Sequence, residues 1–355
     1  MAVLNEEQVM LRDMAREWAD NESPVGAFRK LRDSHAAAGF DVAEWTRQSE
    51  MGWPGITVPE EFGGSAFGFL SLGLVLEQLG RNLAASPLAA TAVAASVIAI
   101  SDSDAAKAEW LPKLATGEVI ATLAVDEGPV HDPAKIATKV SGGKLTGDKA
   151  FVAEGDAAEL FLVAAEDGLY LVADGAGVTK SPRHMADARS HAAIGFKDAP
   201  ATKLGGPELT AIAIDRATAA NCAEMLGMAE SAFAQTNDYL KTRVQFGQKL
   251  SMFQALQHRM AKMFTELELM RSAVEGALEA IDAGRGGVDQ AVSLAKALAS
   301  DTLHLVSREM IQLHGGIGMT DEHDAGFYMK RAAVLQAMWG NAAFHRERFA
   351  RLNGY

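Results

Sequence analysis

One cysteine, Cys222, is all the thiol this 355-residue chain holds, so no disulfide can close within it. A reducing compartment is the simple expectation, and Cys222, set in an apolar helical run, reads as a small buried hydrophobe. Positive charge is in deficit: 33 Lys and Arg face 46 Asp and Glu, a formal net charge of -13. No basic stripe exists to neutralise the phosphates of a nucleic acid, although a local basic pocket for an anionic ligand stays open. No apolar run reaches the length a bilayer requires; the richest, residues 88–100, is short and heavy in alanine. The amphipathic, acidic start MAVLNEEQVMLRDMAREW lacks the basic head and apolar stretch of a signal peptide. The expectation is a cytoplasmic protein with no nucleic-acid and no membrane partner. His131, His184 and His191 are scattered without metal-ligand spacing, and no Ser-His-Asp signature or Walker loop is present.

Apolar residues, by contrast, are plentiful at 48%, enough for a large core in two or three domains. Periodicity divides the chain into three segments. Residues 1–118 read as an all-α domain. Asn5-Glu6-Glu7 caps a helix through Asp20, and further helices are predicted over 42–51, 67–79 (ended by Gly80), 87–100 and 105–114. Residues 119–206 switch to short strands over 119–125, 137–140, 144–147, 151–152, 160–165 and 168–172. Turn signals separate them, Ser141-Gly142-Gly143 foremost, and this spacing predicts a small antiparallel barrel or sandwich. Residues 207–355 return to helix, over 210–243, 252–283, 287–313 and 322–352, which predicts an up-and-down four-helix bundle. The fold class is therefore mixed α and β.

Three short patterns in the last segment stand apart. Arg243-Val244-Gln245-Phe246-Gly247-Gln248 leads into Phe253-Gln254-Ala255-Leu256-Gln257-His258. Gln312-Leu313-His314-Gly315-Gly316-Ile317-Gly318 is the second, and Trp339-Gly340-Asn341 the third. Arg243 falls at a helix C-terminus, where a guanidinium either meets the helix dipole or forks onto a pyrophosphate. Gly315-Gly316 at a helix end either caps it or lets backbone amides approach a phosphate closely.

In this order, and with this succession of domains, the patterns resemble the acyl-CoA dehydrogenase family of flavoproteins. Gly52-Trp53, Val58-Pro59-Glu60-Glu61-Phe62-Gly63-Gly64 and Glu77-Gln78-Leu79-Gly80-Arg81 are similar to runs found across that family. So is Trp110-Leu111-Pro112-Lys113-Leu114-Ala115-Thr116-Gly117-Glu118. The resemblance implies FAD, with Arg243, Gln245, Phe246, Phe253 and Gln254 serving one subunit's cofactor. Gln312, Leu313, Gly315 and Gly316 would reach the FAD of the neighbouring subunit, which implies an oligomer. It also implies an acyl-CoA substrate, α,β-dehydrogenation of its thioester, and an electron-transferring flavoprotein as the electron acceptor. In such chemistry a carboxylate takes the α proton while the β hydrogen leaves as hydride.

The sequence also departs from the family. The hydroxyl-bearing run that lines the flavin is here Val125-Asp126-Glu127-Gly128-Pro129-Val130-His131-Asp132. Gly147-Asp148-Lys149 is kept but leads to Ala150-Phe151-Val152-Ala153, which leaves Phe151 to stack on the flavin in place of a Ser/Thr contact. The Glu-Gly-Thr/Ser run that carries the base aligns with Trp339-Gly340-Asn341, and tryptophan accepts no proton. Some relatives carry the base on the first bundle helix, where the matching region is near Ala217 and Asp215 is the candidate. The competing reading of Asp215 is a carboxylate at a helix start, favoured by the macrodipole. Arg216 reads either as a CoA-phosphate contact or as a surface residue. Leu79-Gly80-Arg81-Asn82-Leu83-Ala84-Ala85-Ser86-Pro87 resembles the branch in which heteromeric members with bulky substrates occur. Three readings follow: an active homo-oligomeric dehydrogenase, a partner chain that completes the FAD site of a sister acyl-CoA dehydrogenase in a hetero-oligomer, or a flavin oxidase with an Asp base.

Overall fold

Asn5 opens the first helix, α1 (Glu6–Glu22), through a reciprocal box: its side chain accepts from the Gln8 amide while the Gln8 side chain accepts from its own. The computed structural model describes residues 3–36, 38–284 and 286–355. A helix not among those expected follows, α2 (Val25–Ser34), of whose residues only Phe28 is buried. Then come α3 (Val42–Glu50), capped by Asp41, α4 (Gly68–Arg81), α5 (Leu88–Ala99) and α6 (Asp104–Ala115).

The middle segment forms β1 (Ala121–Ala124), β2 (Lys139–Ser141), β3 (Lys144–Ala153), β4 (Leu160–Ala165), β5 (Gly168–Ala173), β6 (Val178–Pro182), β7 (His191–Pro200) and β8 (Thr202–Gly205). These make two four-stranded sheets, ordered β1-β4-β5-β8 and β2-β3-β7-β6. Phe161 of one sheet meets Phe196 of the other edge to face, with ring centroids 6.0 Å apart. The expectation of a purely antiparallel sandwich needs one correction: β1 pairs β4 in parallel. The two strands are separated by the whole β2–β3 excursion, and such a long connection permits parallel pairing. The Gly142-Gly143 turn joins β2 to β3 with both glycines left-handed, as a tight hairpin requires.

The last segment runs α7 (Pro207–Thr242), a minimal hairpin of β9 (Val244–Gln245) and β10 (Gln248–Lys249), then α8 (Gln254–Ala283), α9 (Val288–His314), α10 (Ala325–Ala337) and α11 (Ala342–Leu352). The single helix expected over 322–352 is thus two. Trp339 (φ 58°) and Gly340 (φ 92°) are left-handed, and Asn341 starts α11 by accepting from the Phe344 amide at 3.0 Å. A Cβ on Gly340 would lie 2.5 Å from the Phe344 ring, so glycine is required there on two counts.

The chain gathers into two compact units: Phe28–Leu72 with Ala85–Ala220, which holds both sheets, and Met1–Ala27 with Gly73–Ala84 and Asn221–Tyr355, which holds the bundle. Within the bundle unit, Gly80 does not end α4 as expected; the helix continues through Arg81. Its glycine serves packing instead. A Cβ on Gly80 would stand 2.3 Å from the Glu224 carbonyl, and one on Gly227 would stand 1.8 Å from the Glu77 carbonyl. The two glycines let α4 and α7 cross backbone to backbone. Arg271 of α8 ties the crossing together through Glu77 at 3.2 Å and through Glu230, and Arg81 reaches Glu230 at 3.2 Å.

Candidate functional site

Two of the sequence patterns meet at one end of the bundle. Arg243 follows the last turn of α7, Gln254 starts α8, and Gly315 follows the last residue of α9. Tyr239 and His314 join them: their rings stack at 4.3 Å, and the Tyr239 hydroxyl donates to the His314 carbonyl at 3.2 Å. The His323 ring lies against the other side of His314, 4.4 Å away. His314 donates from Nδ1 to the Met310 carbonyl at 2.7 Å. Burial, above all, favours the neutral form of His314 and lowers it from the ordinary imidazole value.

The hairpin after Arg243 is built to project its tip. Phe246 (φ 53°) and Gly247 (φ 80°) are both left-handed, the requirement of a two-residue turn between twisted strands. Glycine meets that requirement without strain; a phenylalanine does not. The strained residue is also 87% exposed, its ring meeting Phe253 edge to face at 6.1 Å. Val244, Met252 and Met319 are exposed apolar neighbours in sequence or at the same bundle end. Gln245, Gln254 and Gln312 are exposed, and Phe253 is half-buried. Leu313 is buried, so it offers backbone alone. Among the described residues no carboxylate pairs with Arg243.

Gly315 has a backbone (φ 66°, ψ −139°) that residues with a Cβ avoid. At Gly316 a Cβ would meet nothing within 4 Å. Its glycine therefore answers no packing need inside the chain and leaves the backbone open from outside. An exposed guanidinium, an exposed aromatic ring and an exposed glycine backbone form a set suited to a pyrophosphate and a flat heterocycle. These residues fit a dinucleotide.

Phe151 lies in the other unit, on a bulge of β3 where the register against β7 shifts between Lys149 and Val152. It too is left-handed (φ 51°), and Arg183 stands over its ring at 6.0 Å. The bulge is stapled from beneath. Lys149 is fully buried and donates to the Val125 carbonyl at 3.0 Å and to Glu127 at 2.8 Å. Glu127 also accepts from the Ala137 and Thr138 amides and from the Thr138 hydroxyl, at 2.7, 2.9 and 2.6 Å. Burial opposes its ionisation, but these hydrogen bonds prevail and hold its carboxyl at about 2. Asp126 pairs with His131 at 2.8 Å, and its carbonyl accepts from the Ala150 amide at 2.7 Å. Neither the staple nor the Tyr239–His314–His323 stack is foreseen from the sequence. For the stack, the available signal was Tyr239 one turn before Arg243 on the same helix face.

Asp215 is buried, two turns into α7, because that helix begins at Pro207 rather than near residue 210. It is past the first turn, so the macrodipole no longer explains it. Arg216 beside it donates to the Ser96 carbonyl at 2.6 Å and stands over the Phe69 ring at 5.3 Å, so it is engaged within its own unit. Trp339 is half-buried at the α10–α11 break, its carbonyl accepting from His345 Nε2 at 2.7 Å.

Comparison with known proteins adds to this geometry. The family description "Acyl-CoA dehydrogenase, N-terminal domain" matches residues 5–118, and "Acyl-CoA dehydrogenase, C-terminal domain" matches residues 206–352. Acyl-CoA dehydrogenase IpdE2 of Mycolicibacterium smegmatis is 30% identical over 330 residues, which cover 93% of each chain. Among solved structures, the Tcur3481–Tcur3483 steroid acyl-CoA dehydrogenase superposes with a TM-score of 0.92 at 30% identity, covering 98% of both chains. The ChsE4–ChsE5 complex of Mycobacterium tuberculosis superposes with a TM-score of 0.92 at 26% identity, covering all of both chains.

Proposed function

This chain belongs to the acyl-CoA dehydrogenase family, and on that premise we propose that it is an FAD-dependent oxidoreductase for the α,β-dehydrogenation of an acyl-CoA thioester. The observation that carries the reading is the bundle end, where Arg243, the strained Phe246 and the open Gly316 backbone share one exposed surface. FAD, when bound, supplies the acceptor for the β hydrogen. Arg243 holds pyrophosphate charge in its guanidinium fork, with Gln245 and Gln254 as polar contacts and Phe246 and Phe253 as apolar ones. Gln312, Gly315 and Gly316 offer a side-chain amide and open backbone to the cofactor of a neighbouring chain, with Leu313 anchoring the loop. Phe151 is the aromatic platform of the sheet unit. Asp215 is the candidate to accept the α proton, and Trp339 stands where the family's carboxylate is expected.

That last position favours a second reading. A chain with tryptophan at the base position and an intact bundle end serves as the partner subunit of a heteromeric dehydrogenase, completing the FAD site of a sister chain. The comparisons support it to the extent that two similar structures are described as paired chains.

One experiment separates the readings. The chain is purified alone, loaded with excess FAD, desalted, and its visible spectrum recorded before and after an acyl-CoA is added. Near one flavin per chain, bleached by the thioester, supports the first reading. A folded chain that keeps little FAD, and gains it on co-expression with a sister chain, supports the second. FAD retained but untouched by any acyl-CoA, alone or with a sister chain, overturns both.

A further inference from the structure

Among the described residues, Lys296 is the one wholly buried ammonium of the bundle that neither reading uses. It lies in the first half of α9 with no solvent exposure. Its Nζ donates to the Leu335 carbonyl and has the Met225 sulfur at 3.9 Å. Cys222 is close, but burial pushes its thiol up to about 12, so it carries no counter-charge. Burial draws Lys296 itself down to about 8. A buried cation without a carboxylate is expensive, and an apolar side chain of the same length would avoid the cost. The position therefore calls for a reason other than stability.

The carbonyl it holds gives that reason. Leu335 is in the last turn of α10, where carbonyls lack intrahelical donors and the negative end of the helix dipole lies. Asn221 of α7 donates to the same oxygen at 3.4 Å. Immediately beyond, the chain leaves the helix: Met338 is extended, Trp339 and Gly340 are left-handed, and Asn341 begins α11. On the far side, His345 holds the Trp339 carbonyl at 2.7 Å. The elbow is thus gripped before the break by a charge and after it by an imidazole.

We propose that Lys296 is a positioning residue: its ammonium caps α10 from inside the bundle and thereby sets where the elbow places Trp339. The consequence for function rests on the reading that Trp339 lines the acyl-CoA site.

The test uses the full chain and reads Trp339 directly. Trp339 is the only tryptophan after Trp110, and subtracting the emission of W339F isolates its signal. In K296M the Trp339 emission maximum and its acrylamide quenching are expected to shift. The amides of residues 339–341 should exchange about tenfold faster or more, as befits loss of a charge-assisted bond. K296Q, which keeps a donor, should restore part of both. V292A, an equally buried change on the same helix, should cost stability and leave Trp339 unmoved. Should K296M not fold, N221L removes the second donor to the same carbonyl and should give a smaller shift in the same sense. An unmoved Trp339 in whichever of the two folds overturns the proposal. Acyl-CoA binding is measured in parallel: a shifted Trp339 with unchanged binding upholds the positioning role and counts against Trp339 as a wall of the acyl site.

Discussion

Phe151, Phe246 and Trp339 share an uncommon property: each bears a bulky aromatic side chain on left-handed backbone. Such residues persist only where the surroundings impose them, and here two of them are candidate site residues. Replacing Phe246 with glycine should relieve strain, so the stability should stay level or rise by about 1 kcal/mol at most. FAD affinity should nevertheless fall, by about 2- to 13-fold for a lost aromatic stacking contact of about 0.5–1.5 kcal/mol. A thermal melt beside an FAD titration checks both halves, and loss of stability without loss of FAD would remove Phe246 from the site. Arg243→Gln should be neutral for stability, within about 0.5 kcal/mol, because the side chain is exposed and pairs with no carboxylate in the described chain. Its FAD affinity should fall, and the wild-type affinity should weaken with added salt more steeply than the variant's. Glu127 gives the pH prediction. Its carboxyl is lowered from an ordinary 4.5 to about 2, so its contribution is complete above the ordinary value and is lost as pH falls from there toward 2. The stability gap between wild type and Glu127→Gln, followed by urea unfolding, should be constant from pH 7 to 5 and close between about 4 and 2. A gap independent of pH would mean that the carboxylate contributes shape and not charge.

At the scale of elements, most of the long helices and the β2–β3 turn were legible because their signals are local. Asn5 caps α1 by the pattern expected of it, and Gly142-Gly143 turns β2 into β3. What escaped was decided by distant partners. The α2 helix is short and buries only Phe28, and the parallel pairing of β1 with β4 depends on a strand about forty residues away. Trp339-Gly340-Asn341 contained the evidence for a break, a glycine beside a capping asparagine, yet the apolar periodicity on both sides ran through it. The break has a direct test. Gly340→Ala places a Cβ on left-handed backbone 2.5 Å from the Phe344 ring, and should cost about 2–4 kcal/mol as strain and overpacking combine. Near-neutral behaviour in denaturant unfolding would mean that α10 and α11 fuse at little cost.

For the molecule as a whole, the motifs of the bundle end could be named from sequence, whereas their chemical surroundings could not. Arg243 and Gly315 announce themselves by type and spacing. The stack that joins them, Tyr239 on His314 on His323, comes from helices whose relative rotation no linear pattern records. The same holds for the α4–α7 crossing, and there the consequence reaches protein engineering. Replacing a helical glycine with alanine is a routine stabilising move, returning about 0.5–1 kcal/mol where space permits. At Gly80 and Gly227 the sign reverses, because the added methyl would press on the backbone carbonyl of the facing helix. A substitution library over this chain should find these two sites intolerant of every other residue, however helical their sequence neighbourhood. A choice made on helix propensity alone would nominate both for change. Any hardened version of this scaffold has to begin by leaving them alone.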